Sequence, residues 1–361
     1  MNISEFCKIY TGTGFPIEFQ GKKNGKYPFY KVSDISVSNT QQKIFLDDAN
    51  NYIDEFDLSI LKGNLIPAGT IVFAKIGEAL KLNKRAITSC ECLIDNNVIG
   101  IKPDDNIINL LYFYYYLLKI DMLHYSESTT LPSVRKSTIE QIKVKIPPID
   151  VQNKRVTILN ICHKIIKNQV ELIHNLDLLV KSRFVELFGD VVLNTLNWPL
   201  VKLSAIAEYR IGLTYKPEEV SSSGVAVLRS GNIQNSQLCY EDTIYVNSKV
   251  DPKLLLKKND ILMCARNGSQ SLVGKVALIE NDISNTTYGA FMMAISSKYY
   301  VYLFEYFRSQ AFRRLISVGS TTTINQVTTR MLNSIVIPLP DLDTINRFAL
   351  YHSQINKLKF A

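Results

Sequence analysis

Apolar residues follow two spacings along the chain, one typical of strands and one typical of helices. Short runs rich in Val, Ile, Phe and Tyr, such as KVSDI, TIVFAKI and NVIGIKP, lie between clusters of Gly, Pro, Asn and Asp and predict strands joined by turns. The aromatic-rich residues 107–120 and 298–316 predict helices that pack into a core. The chain is therefore predicted to have a mixed α/β fold.

The same pattern occurs twice. Residues 128–148 read STTLPSVRKSTIEQIKVKIPP and residues 321–340 read TTTINQVTTRMLNSIVIPLP, so Thr129 aligns with Thr322 and Pro147 with Pro340. Upstream, FYKVSDI aligns with VLRSGNI, LYFYYYL with VYLFEYF, and TIVFAKIG with ILMCARNG, which pairs Lys75 with Arg266. The shift between the copies varies slightly, as expected when loops gain and lose residues. These matches predict a tandem duplication with divergent loops.

One long helix is predicted between the two copies. Neither Pro nor Gly interrupts residues 151–188, and such a helix measures ~57 Å at ~1.5 Å per residue. A second helix, which begins near residue 341, measures only ~27 Å by the same rise. Apolar residues recur every seven positions along the long helix and predict contact with another helix. The predicted interface comprises Ile158, Cys162, Ile165, Leu172, Leu176, Leu179, Phe348 and Ile355.

Composition limits the possible classes of protein. A length of 361 residues suggests two domains, and a net charge of +8 permits nucleic-acid binding without establishing it. Residues 191–340 hold much of this surplus, with 15 Lys and Arg against 10 Asp and Glu. No long apolar run or secretory signal is recognisable, so we expect a cytoplasmic protein without membrane association. The six cysteines lack paired zinc-site spacing, which favours buried free thiols.

Motifs that carry catalysis are not found in the sequence. It has no Gly-rich loop of the S-adenosylmethionine type, no adenine-flipping Asn/Asp-Pro-Pro-Tyr/Phe motif, no phosphate loop of the GxxxxGK[ST] type and no persuasive nuclease carboxylate cluster. We therefore predict no catalytic residues, no metal site and no directly bound cofactor. An independent hydrolase is the least favoured class.

The chain resembles the DNA-specificity subunits of type I restriction-modification systems. The resemblance rests on KIPPIDVQNKRVTILN, on KSRFVELFGD, on IPLPDLDTINRF and on the duplicated order of domains. It implies two α/β target-recognition domains, at residues 1–148 and 191–340. Conserved helices at 149–190 and 341–361 would form an antiparallel helical spacer between them. Each domain would read one half of a bipartite, gapped duplex, and the spacer would set the gap.

The resemblance also implies partners. Two methyltransferase subunits would dock on the helices and methylate one adenine in each half-site, and two restriction subunits would complete the nuclease where they are present. S-adenosylmethionine, ATP and Mg would be bound by those subunits. The short second helix suggests self-association with another copy of the chain. A different interpretation stays open, in which the chain is a degenerate, non-reading scaffold or protein-interaction module.

Polar residues on loops that recur in both copies, but differ in identity, are the candidates for DNA contacts. Arg and Lys can bond guanine, and Asn and Gln can bond adenine. We predict base contacts for Lys31, Ser33, Asp34, Lys75, Arg229, Ser230, Asn232, Arg266, Asn267, Ser269 and Gln270. Phosphate contacts are predicted for Lys81, Lys84, Arg85 and Lys275. The Thr-rich loops either approach DNA or cap the following helix, through Ser128, Thr129, Thr130, Thr321, Thr322 and Thr323. The alternative for the base-contact candidates is an ordinary solvated loop.

Overall fold

A computed structural model of the chain describes residues 1–126, 131–318 and 325–359. The chain divides into two compact units, Met1–Val170 (unit 1) and Glu171–Ala361 (unit 2). Each unit combines strands and helices, which confirms the predicted mixed α/β class.

Unit 1 contains the strands β1 Cys7–Thr11, β2 Tyr27–Tyr30, β3 Phe45–Leu46, β4 Tyr52–Ile53, β5 Ile71–Ala74, β6 Arg85–Thr88, β7 Leu93–Ile94 and β8 Val98–Pro103. They form a five-stranded sheet in the order β1-β8-β5-β6-β3 and a smaller sheet in the order β4-β2-β7. Its helices are α1 Val32–Thr40, α2 Glu55–Leu61, α3 Glu78–Lys81, α4 Leu110–Leu118 and α5 Lys136–Glu140. The aromatic residues of α4 pack with Ile71 and Phe73 of β5 in the main core, as the sequence predicts.

The long helix α6, Ile149–Phe188, begins in unit 1 and ends in unit 2 without interruption. Unit 2 contains the strands β9 Leu200–Lys202, β10 Glu208–Ile211, β11 Val220–Ser221, β12 Val225–Leu228, β13 Ile233–Gln234, β14 Gln237–Leu238, β15 Ile244–Val246, β16 Ile261–Cys264, β17 Val276–Leu278, β18 Thr286–Tyr288, β19 Met292–Ser296 and β20 Val336–Pro338. Its helices are α7 Tyr300–Arg308, α8 Gln310–Val318, α9 Thr329–Ser334 and α10 Leu342–Lys359. The main sheet has the order β10-β19-β16-β17, and a second sheet has the order β11-β15-β12-β18.

The two units repeat the same hydrogen bonds, which confirms the duplication. Ile3 N donates to Ile142 O at 3.0 Å, and in unit 2 Leu203 N donates to Ile335 O at the same distance. The parallel pairing of β2 with β7 recurs as that of β12 with β18. Two unrelated domains would not share these long-range hydrogen-bond and strand-pairing partners.

Glycine is required at one equivalent position in each unit. A Cβ atom built on Gly12 would lie 1.9 Å from Asp95 O, and one on Gly212 would lie 2.3 Å from Gly289 O. Both distances are far below van der Waals contact, so any side chain there would force two backbone segments apart. The alignment of these two glycines therefore has a steric cause.

Three details differ from the sequence-based expectations. KVSDI is not a strand, because β2 ends at Tyr30 and helix α1 begins at Val32. The strands β5 and β16 correspond with a register one residue away from the alignment. Val134 N donates to Lys75 O and Val327 N donates to Ala265 O, so Lys75 is equivalent to Ala265 and not to Arg266. The prediction of buried thiols is wrong for Cys90 and Cys162, which are exposed.

The C-terminal helix α10 packs against α7 within unit 2. Phe348 is fully buried, and its ring centroid lies 5.6 Å from that of Phe184 and 5.2 Å from that of Phe188, near the end of α6. Lys359 Nζ lies 2.7 Å from Asp177 Oδ1 and adds a charged contact between α10 and α6. Both ends of α10 are therefore attached to the core of unit 2.

Candidate nucleic-acid interface

Three segments converge in unit 2, and the first two carry predicted DNA contacts. The first follows β12, the second is the loop between β16 and β17, and the third is residues 325–327. Asn267 Nδ2 donates to Ser230 Oγ at 3.1 Å and joins the first two. Asn325 Nδ2 donates to Gly268 O at 3.3 Å, and Val327 N donates to Ala265 O at 2.7 Å, which joins the second and third. The structure thus brings the predicted readers Ser230 and Asn267 together.

Arg266 is an exposed cation of this loop cluster. Its guanidinium carbon lies 5.3 Å from the ring centroid of Phe291, and its backbone N–H donates to Phe291 O at 3.0 Å. The Phe291 side chain is 59% exposed. An aromatic face can hold a guanidinium in place without consuming its hydrogen-bond donors. Sequence analysis missed Phe291; the signal was an apolar side chain two residues after Gly289.

Exposed polar side chains surround Arg266. Ser269 and Gln270 are exposed on the same loop, and Arg229 is exposed at the end of β12. Arg229 Nη2 donates to Asp242 O at 3.1 Å, which fixes one side of its guanidinium. The remaining donors of these side chains are of the kinds that bond base edges.

Asp34 and Asn232 occupy the same position in the two units and are buried in both. Asp34 Oδ2 accepts from Lys31 N at 2.7 Å, and Asn232 Oδ1 accepts from Arg229 N at 2.7 Å. Asn232 Nδ2 also donates to Cys239 O at 2.8 Å, and Asp34 Oδ1 accepts from Asn50 Nδ2 at 2.7 Å. These bonds hold the backbone of the loop, so the prediction of direct base contacts does not suit either side chain.

In unit 1 the residues predicted to contact bases lie on the segments equivalent to those that carry Arg229 and Arg266 in unit 2. Ser33 is exposed, and Lys31 Nζ donates to Gln20 Oε1 at 3.1 Å. Lys75 lines a cavity of ≈ 290 Å³ together with Arg135 and Lys136. The backbone of this cavity is fixed by the bond from Val134 N to Lys75 O, at 2.9 Å. Arg135 and Lys136 were not among the sequence-based candidates, although both follow the Thr-rich loop directly.

The predicted phosphate contacts of unit 1 separate into different environments. Lys81 Nζ lies 2.7 Å from Glu78 Oε1 in an exposed ion pair, and Lys84 is half-buried. Arg85 is 0% exposed; its guanidinium lies over the Phe73 ring, and its Nη2 donates to Ile120 O at 2.9 Å. Burial lowers the pKa of Arg85 to about 10. The prediction that Arg85 contacts phosphate is therefore wrong in this structure, because the side chain does not reach the surface.

The Thr-rich loop candidates lie outside the described residues. They are Ser128, Thr129, Thr130, Thr321, Thr322 and Thr323. Residues on both sides of the second loop are described, and the segment that follows it contacts the Arg266 loop through Asn325.

The predicted helical interface divides into a buried and an exposed set. Leu176, Phe348 and Ile355 are buried in the core of unit 2. The exposed set on α6 consists of Ile158, Cys162, Ile165, Leu172 and Leu179, with Ile158 62% exposed. Exposed aliphatic residues repeated along one helix are typical of a surface that contacts another protein.

Among the described residues, no three His, Cys, Asp or Glu side chains are grouped so that they could hold a metal ion. None of the described helices is long and apolar enough to cross a membrane.

Comparisons with known proteins agree with this architecture. The family model described as the type I restriction modification DNA specificity domain matches residues 1–176 and 196–354. The specificity subunit of the type I restriction enzyme MjaVIII from Methanocaldococcus jannaschii is 22% identical, over 95% of this chain and 82% of that protein. The StySPI specificity subunit from Salmonella potsdam is 27% identical over 40% of this chain and 33% of its own length.

A solved structure has a similar fold. The crystal structure of the type I restriction-modification S subunit from M. genitalium superposes with a TM-score of 0.51 at 14% sequence identity. The match covers 99% of this chain and 91% of that chain. At this identity the likeness bears on the fold alone.

Proposed function

Because the chain belongs to the type I restriction-modification DNA specificity family, we propose that each of its two units reads one half of a bipartite duplex target on behalf of methyltransferase subunits. Specificity subunits of this family are generally not catalytic. In this proposal, adenine methylation and any ATP-dependent cleavage belong to partner subunits, which also bind S-adenosylmethionine, ATP and Mg.

The convergence of loops around Arg266 carries the proposal. Arg266, Ser269 and Gln270 present exposed donors and acceptors on one loop. Ser230 binds the Asn267 side chain of this loop, and Asn325 binds its backbone at Gly268 O. Direct readout of the major groove needs such groups on a support that does not rearrange, since each good bidentate contact discriminates by about 1–3 kcal/mol. The equivalent loop of unit 1 carries Lys75 and different neighbours, which supports a different half-site.

The exposed apolar positions of α6 support partner docking. Ile158, Ile165, Leu172 and Leu179 recur every seven residues and are exposed to about half or more of their surface. We propose that methyltransferase subunits, two per chain, cover this helix. Ile158→Glu together with Ile165→Glu should then reduce co-purification of the methyltransferase without changing the helical signal in circular dichroism. Unchanged co-purification would count against this docking site.

Genome-wide mapping of methylated adenine tests the proposed function. Cells that express the chain with its partner methyltransferase should methylate one gapped motif, and this motif should disappear when only the gene for this chain is deleted. A methylation pattern that does not change on deletion would contradict the proposal. The non-reading scaffold interpretation instead predicts that the chain co-purifies with the methyltransferase without changing any motif.

A further inference from the structure

A basic cavity of ≈ 300 Å³ lies in unit 2, beside the loop that carries Arg266. Four cationic side chains line it, together with Asn235 and Ser236 from the turn between β13 and β14. The cations are Lys181 near the end of α6, Lys275 directly before β17, Arg308 on α7 and Arg313 on α8. No acidic residue is among those that line the cavity.

Two of the four cations already have partners. Arg308 Nη1 lies 2.5 Å from Glu305 Oε1, and its Nη2 lies 3.7 Å from Asp177 Oδ1, so its charge is compensated. Arg313 Nη1 donates to Val273 O at 2.5 Å. That bond orients the guanidinium but does not neutralise it, because a carbonyl carries no net charge.

The two ammonium groups differ from these arginines. Within the described residues, neither Lys181 Nζ nor Lys275 Nζ has a hydrogen bond or an ion pair with the protein. Lysine is a compact point charge with three donors and commonly binds phosphate. Together with Arg313, these side chains provide an uncompensated positive field inside a concave site.

The pKa of the buried thiol Cys264, next to the site, responds to the charges of two of these cations. Burial raises the pKa of Cys264, while the charges of Lys275 and Arg313 oppose that rise. The two cations therefore act on the same small volume at the end of β16.

The cavity is fixed to the base of the Arg266 loop. Cys264 N donates to Lys275 O at 2.8 Å, and Gly274 N donates to Cys264 O at 2.8 Å, so these bonds close the loop. Gly274 has a φ of +76°, and a Cβ there would lie 2.6 Å from Ile316 Cδ1 on α8. The absence of a side chain at Gly274 lets α8 approach and places Arg313 next to Lys275.

We propose that Lys181, Lys275 and Arg313 form a phosphate-binding site that receives a backbone phosphate of the duplex beside the half-site contacted by the Arg266 loop. The assignment of the phosphate to DNA rests on the proposed function. Phosphate contacts fix the register and orientation of a protein on DNA and carry no sequence information. The site would thus hold the duplex in place while Arg266 and Gln270 contact bases. Free inorganic phosphate has the same chemistry and is the alternative occupant.

The DNA test uses the full chain in complex with its methyltransferase. The double variant Lys181→Gln, Lys275→Gln should reduce the magnitude of the negative slope of log K against log salt by about 0.9, the contribution of one lost phosphate contact. The ratio of specific to nonspecific affinity should stay unchanged. The control is Lys258→Gln, an exposed lysine that precedes β16 at the end opposite Arg266, and it should leave the slope unchanged. If the double variant does not fold, Lys181→Gln alone, on the exposed surface of α6, replaces it, with an expected reduction of at most about 0.9.

A second measurement separates the two sources of phosphate. Thermal unfolding of the chain without DNA is compared in inorganic phosphate and in chloride at equal ionic strength. An unchanged salt slope would overturn the assignment to DNA, whether or not phosphate stabilises the wild type more than the variant. If the wild-type complex binds no specific duplex, the proposed function fails. The phosphate measurement then decides the site alone, and equal melting temperatures of the wild type in the two salts would overturn it.

Discussion

Replacing Arg266 with alanine is expected to weaken the recognition of one half-site only. Arg266 is exposed, and Phe291 O binds its backbone while the Phe291 ring lies 5.3 Å from its guanidinium carbon. A bidentate contact to a base is worth about 1–3 kcal/mol. Since 1.4 kcal/mol is a tenfold change, affinity for the cognate duplex should fall by about 5- to 150-fold.

Phe291→Ala should have a smaller effect in the same direction. An exposed cation–π contact is worth about 0.5–1 kcal/mol, so the loss of the ring should reduce affinity by about 2- to 5-fold. Competition binding of the methyltransferase complex to duplexes with single base changes measures both effects. Arg266→Ala should remove discrimination at one base position of one half-site.

Lys258→Ala is the matched control, because Lys258 is an exposed cation before the end of β16 that lies opposite Arg266. It should leave discrimination at every position unchanged. Equal losses of discrimination in both half-sites for Arg266→Ala would refute the reasoning. So would a loss of the same size for Lys258→Ala.

Three further predictions concern the framework that supports the site. Phe348→Ala should lower the free energy of unfolding of unit 2 by about 3–5 kcal/mol in urea, because the ring is fully buried. Leu350→Ala, at a side chain 64% exposed, should lower it by less than about 0.5 kcal/mol. Gly212→Ala should prevent unit 2 from folding, since its Cβ would lie 2.3 Å from a facing carbonyl oxygen, whereas Gly231→Ala should yield folded protein because no atom lies within 4 Å of that Cβ. Arg85→Met should leave the salt dependence of DNA binding unchanged. The folded pKa of Arg85 is depressed to about 10, so the buried charge costs stability below that pH, and wild-type stability should rise relative to Arg85→Met as the pH increases above about 10.

The duplication could be predicted because its causes are local and repeated. The equivalent glycines Gly12 and Gly212 persist where a second backbone segment leaves no space for a side chain. The long helix could be predicted because residues 151–188 contain neither Pro nor Gly, and α6 begins at Ile149, directly after Pro147 and Pro148.

Residues whose role depends on distant partners could not be predicted. KVSDI has strand-forming residues, but Asp34 accepts the Lys31 N–H and starts a helix there. Arg85 lies in a cationic, loop-like stretch of sequence, yet β6 is buried along its whole length. Phe291 acquires its role only because the backbone of β19 returns beside Arg266.

The equivalence of Lys75 shows a further limit of the sequence. Alignment by residue type paired Lys75 with Arg266, since both are cations after a buried strand. The hydrogen bonds make Lys75 the structural equivalent of Ala265, and Ile76 the structural equivalent of Arg266. Side chains of neighbouring residues in a strand point in opposite directions, so a shift of one residue changes what each can contact.

The most direct test of the central claim is a methylation map of two single variants, Lys75→Ala and Arg266→Ala, each expressed with the same methyltransferase. If each unit reads one half of the target, Lys75→Ala should relax base requirements in one half of the methylated motif, and Arg266→Ala should relax them in the other half. Relaxation of the same half by both variants, or of both halves by either one, would contradict the account.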